Sequence, residues 1–105
     1  MIAIQRDVSA IWRIVGNHVV LTDLSTAVTI QGPAVAHGVV IWTENSPIRI
    51  KVLDISSSDK ATATDGILLS VEDGRTFIPL WDQKLSIIQQ SAGARVQYFF
   101  IEFQD

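Results

Sequence analysis

Apolar residues recur at every second position over short stretches of this chain, and Gly, Pro, Asn, Asp and Ser interrupt them at close intervals. That is the period of strands, because successive side chains of a strand point to opposite faces, whereas a helix repeats its apolar positions every three or four residues. Residues 48–53 show it most clearly. There Ile48, Ile50 and Val52 alternate with Arg49 and Lys51, which predicts one face on a core and the other in water. Residues 9–15 and 18–22 flank Gly16-Asn17, a dipeptide suited to a two-residue hairpin turn. Strands over 27–31 and 35–43 end at Gly32-Pro33 and Asn45-Ser46-Pro47, since proline removes a ladder donor and restricts its predecessor. Ser56-Ser57-Ser58-Asp59-Lys60 predicts a polar loop, and Ala61 to Asp65 leads on to the next strand at Ile67; if any segment is mobile, it is this one. Residues 67–72 and 75–80 flank Asp73-Gly74, which suits the positive φ angles of a type I′ turn and predicts a hairpin. A further hairpin is predicted from 85–90 and 94–103 around Ser91-Ala92-Gly93.

Many short strands, without an internal repeat or linker, predict an all-β fold: a two-sheet, jelly-roll-like sandwich, with a small β-barrel as the alternative. The 105 residues suit one domain, taken as 1–105. With 48% hydrophobic and 18% charged residues the chain is too apolar for disorder, and with no cysteine its stability rests on packing alone. Arg6 and Asp7 come too early for a signal peptide, and no apolar run reaches the roughly 18 residues that span a bilayer, so the expectation is a protein kept inside a cell, off the membrane. A net charge of −3 without a basic cluster argues against nucleic-acid binding.

Candidate chemistry is sparse. The two histidines, His18 and His37, lack partners at metal-ligand spacing, which makes them structural, and no metal or cofactor is expected. No serine sits in a Gly-x-Ser-x-Gly elbow, Asp65 and Asp73 belong to turn dipeptides, and the 6 glycines are scattered singly instead of forming a phosphate loop. An enzyme in a cupin-like barrel would need clustered metal ligands and ranks last among the readings. Trp12, Trp42 and Trp81 could form a platform for a carbohydrate or another small molecule, although tryptophan in a β-domain more often fills a core or rim.

The terminal strand is the most informative element. Val96, Tyr98 and Phe100 share one face, and Phe99, Ile101 and Phe103 share the other, so a second apolar row needs a cover. That cover is either another part of the chain or a partner subunit.

The stretch from Gly66 to Phe103 resembles the closing half of small tailed-bacteriophage virion proteins, the decoration, head-fibre and tail modules. The residues that carry the resemblance are Ile67-Leu68-Leu69, Asp73-Gly74, Phe77-Ile78-Pro79-Leu80, Leu85-Ser86-Ile87-Ile88 and Ser91-Ala92-Gly93-Ala94-Arg95-Val96-Gln97-Tyr98-Phe99. The resemblance implies a β-sandwich that assembles in a virion, after synthesis in the host cytoplasm, and contributes contacts instead of catalysis. The expected partners are copies of the same chain, other virion proteins, or both. The residues expected at those contacts are Trp42, Phe99, Ile101 and Phe103. The rival expectation is a ligand-binding β-module built on an exposed tryptophan.

Overall fold

The structure, a computed structural model, describes residues 12–104, so the start of the first predicted strand lies outside the described residues. Those residues form eight strands: β1 (Trp12–Leu21), β2 (Val28–Ile30), β3 (Gly38–Glu44), β4 (Ile48–Asp54), β5 (Ile67–Leu69), β6 (Thr76–Pro79), β7 (Gln83–Gln89) and β8 (Arg95–Phe103). The first pairs antiparallel with the last, the second with the last but one, and so inward to β4 with β5. Two more pairings, β3 with β8 and β4 with β7, complete two four-stranded sheets ordered β1-β8-β3-β6 and β2-β7-β4-β5. A long antiparallel ribbon folded over in this way is a jelly roll. Among the described residues each sheet keeps two open edges, and the fold is a sandwich and not a closed barrel.

Three predicted hairpins are corrected by this topology. Gly16-Asn17 does not reverse the chain, because β8 offers one continuous partner to the residues on both sides of it. Gly16, Asn17 and His18 stand opposite Phe99 alone, as a bulge between Val15 and Val19, with Gly16 at φ +79°. The bulge keeps Val15 and Val19 on the same side, facing Phe100 and Tyr98. Asp73-Gly74 joins β5 of one sheet to β6 of the other through a single 3-10 turn at Val71–Asp73, where the Ser70 N–H donates to Asp73 Oδ2 at 2.7 Å. Ser91-Ala92-Gly93 likewise carries the chain across the sandwich from β7 to β8.

The core lies between the sheets. Val39, Ile41 and Val96 from one sheet and Ile48, Ile50, Leu85 and Ile87 from the other are fully buried. Each such side chain contributes about 1.5–3 kcal/mol on removal from water. Tyr98 and Phe100 meet edge to face at 5.6 Å within it.

The two outer faces differ. On the β2-β7-β4-β5 sheet the alternation of β4 is as expected, but Arg49 and Lys51 do not simply face water, because residues 55–66 return across them. The Ala61 N–H donates to the buried Ser86 hydroxyl at 3.0 Å, and Lys51 pairs with Asp59 at 2.7 Å and Asp65 at 2.8 Å. Lys84 donates to the carbonyls of Ile55 and Ser57, and Arg49 to that of Gly66. The segment that the sequence marks as the first candidate for mobility is therefore tied down, in part by Arg49 and Lys51, which look solvent-facing in the sequence.

Lys51, and then the Lys60 N–H, hold the Asp59 carboxyl below its usual range. A lowered carboxyl contributes to the loop's attachment above the ordinary aspartate range and loses that contribution as pH falls through its lowered value. Acidification should thus speed amide hydrogen exchange across residues 57–62, after correction for intrinsic rates, while the paired amides of β4 and β7 stay protected. Equal protection of the loop at both pH values would mean that these ion pairs do not hold it.

Candidate interaction surface

Strand register assembles the outer face of the β1-β8-β3-β6 sheet residue by residue. Partners opposite one another share a face, so Phe103 brings Trp12 with it, Ile101 brings Ile14 and Gly38, Phe99 brings Val40, and Gln97 brings Val20 and Trp42. Phe77 of β6 joins opposite Val40. All four residues expected at a contact, Trp42, Phe99, Ile101 and Phe103, fall on this one face. Phe99 and Ile101 are themselves buried at 8% and 4% exposure, Trp42 is half-buried, and Phe103 is 44% exposed. Among the described residues, the rings packed on Phe99 are Trp12, stacked at 6.4 Å, and Trp42, edge-on at 6.0 Å. The exposed layer consists of Trp12, Ile14, Val20, Phe77 and Phe103.

Local features shape this layer. Gly38 has no side chain where the Phe77 ring lies, and a Cβ there would come within 2.6 Å of that ring and of the Ile78 carbonyl oxygen. Freed to lie over the glycine, Phe77 meets Phe103 edge-on at 5.5 Å. Phe103 also stacks on His37 at 5.8 Å, and the Phe103 N–H donates to His37 Nδ1 at 2.8 Å, which leaves the proton of a neutral imidazole on Nε2. The bulge on β1 brings His18 onto Trp42 at 5.9 Å, and the Arg75 guanidinium lies 5.0 Å from the centre of the Trp42 ring. Beyond Trp42 the face becomes polar. Glu44 accepts from Gln97 and Arg95, each at 2.8 Å, and the Gln97 amide and then the Arg95 guanidinium hold its carboxyl below the usual range.

At one end of the sandwich the 31–37 connection and the 80–82 connection frame two adjoining hollows. The first, about 190 Å³, is lined by residues that include Gln31, Ala34, Asp82, Gln83 and Phe100. The second, about 170 Å³, is lined by Ala34, Ala36, His37, Trp81 and Asp82.

The three tryptophans stand apart. Trp12 is 47% exposed at the β1 edge and Trp81 is 68% exposed beside the hollows, so neither fills the core. Trp42 lies mid-sheet against Phe99. Both histidines are packed against aromatic rings, and among the described residues no group of three His, Asp or Glu is gathered as a metal site. Sequence reasoning missed Trp12, Ile14 and Phe77 as members of the aromatic face. Their only signal is their register against β8 and β3, which no local pattern carries. Comparison with protein-family models, curated proteins and solved structures returns no significant match to this chain.

Proposed function

We propose that this chain is a non-enzymatic structural subunit that binds copies of itself through the outer face of its β1-β8-β3-β6 sheet, and that a virion is where it assembles. The observation that carries this reading is the asymmetry between the two sheets. One outer face is crossed by the chain's own residues 55–66, whereas the other presents Trp12, Ile14, Phe77 and Phe103 to water, with no described segment lying across them. Exposing a contiguous row of large apolar side chains is unfavourable, and such rows mark interfaces. A second copy is the favoured occupant because the layer is apolar and the Arg95–Glu44 pair at its polar end is already neutralised within the chain, so two like faces can meet without strong repulsion. The virion setting rests on the resemblance over Gly66 to Phe103. A jelly roll serves many functions, so the fold adds no function of its own.

Light scattering across a dilution series tests the reading. The expected result is a fixed multiple of the chain mass, reduced to one chain in Phe103→Asp and in Ile14→Asp, each with unchanged circular dichroism. Both substituted residues are exposed, so the monomers should fold. A wild-type chain that is monomeric at every concentration, or folded variants that assemble as it does, would overturn the assignment.

A further inference from the structure

We propose that the two hollows at the end of the sandwich form a binding site for one ring of a neutral saccharide, with Trp81 as its platform. Trp81 is 68% exposed, the most exposed of the described large apolar side chains, so it offers most of an indole to a ligand. Its ring meets His37 at 5.2 Å with the planes tilted by 37°, so the imidazole props an indole that otherwise stands in water. Beside it, Asp82 has φ +53°, a left-handed backbone that costs a non-glycine residue energy and must be imposed by its surroundings. Those surroundings are in place. The Leu80 N–H donates to the His37 carbonyl at 3.0 Å and the Trp81 N–H to Gln83 Oε1 at 3.3 Å, so the turn is pinned on both sides of the indole.

The chemistry around the indole suits a sugar. A pyranose has an apolar face of C–H bonds, which packs on an aromatic ring, and an edge of hydroxyls, which needs donors and acceptors. The hollows offer Gln31 and Gln83 amides, the Asp82 carboxylate and, from His37, the Nε2 proton left by its bond to Phe103. Among the described residues, Asp82 is the only carboxylate lining either hollow and no Lys or Arg lines them, which disfavours phosphates and acidic sugars. Hollows of about 190 and 170 Å³ are small beside the roughly 300–1,000 Å³ of sites for drug-sized ligands, so they suit a single ring.

Titration of the full chain with methyl α-glucoside, methyl β-galactoside, methyl α-mannoside and N-acetylglucosamine, read by calorimetry and tryptophan emission, tests the site. At least one should bind with a Kd on the order of 1 mM, suited to a small ligand with one stacking contact. Trp81→Ala should weaken that binding by about tenfold or more. Ala34→Leu, which fills the space from an exposed position while leaving the indole, should do the same. No saturation by any of the four, unchanged binding in Trp81→Ala, or equally tight binding of N-acetylneuraminic acid would overturn the inference. A chain that proves monomeric by light scattering yet binds a neutral saccharide through Trp81 would support it, because the assembly face is built from other residues.

Discussion

Ile50→Ala should lower the free energy of unfolding by about 2–5 kcal/mol, a large share of the roughly 5–15 kcal/mol available to a domain of this kind. Ile50 is fully buried at the middle of β4, opposite Ile87 on one side and Ile67 on the other. Truncating it removes apolar surface from the core and leaves a cavity that two hydrogen-bonded sheets cannot readily close. The comparison that gives the measurement its force is Ile67→Ala. Ile67 pairs directly with Ile50 but lies 57% exposed at the end of edge strand β5, so its truncation should cost no more than about 0.5 kcal/mol. Both are read from denaturant midpoints at constant slope. Equal losses would mean that the core does not lie where the register of β4 places it.

What the sequence reveals of this fold divides along a physical line. Alternation is local, so the strand class, the inward row of β4 and the two apolar rows of β8 are legible from neighbouring residues alone. Pairing is not local. In a jelly roll β1 meets β8 and β2 meets β7, and only β4 and β5 are both consecutive and paired. Glycine turns cannot reveal this, because positive φ serves several purposes. Gly16 at +79° makes a bulge, Gly74 at +63° leaves a 3-10 turn, and Gly93 at +92° helps the chain change sheets. The same limit governs the surface. Phe99, Ile101 and Phe103 are readable as a row, whereas Trp12, Ile14 and Phe77 join them only through register. Arg49 and Lys51 read as solvent-facing positions, and only the fold shows them fastening residues 55–66 to the sheet.

Gly38→Ala tests the aromatic face from beneath. The added methyl would come within 2.6 Å of both the Phe77 ring and the Ile78 carbonyl oxygen, closer than packed atoms tolerate. The ring can swing aside, since Phe77 is 39% exposed, but the carbonyl belongs to β6 and moves only with the strand. Overpacking of this kind costs about 1–3 kcal/mol, and the expected loss lies at the upper end because backbone is involved. Adding Phe77→Ala should recover only the part due to the ring. The double variant should therefore remain less stable than Phe77→Ala alone, with a coupling energy of about 0.5–3 kcal/mol between the two sites. Full recovery would mean that the ring alone opposes the methyl and that the β3-β6 pairing adapts freely. The displaced ring would also leave Phe103, which it meets edge-on at 5.5 Å, so Gly38→Ala should loosen assembly as well as folding. Light scattering on the folded fraction separates the two effects: dissociation at a concentration where the wild-type chain stays assembled ties the glycine in β3 to the surface built above it.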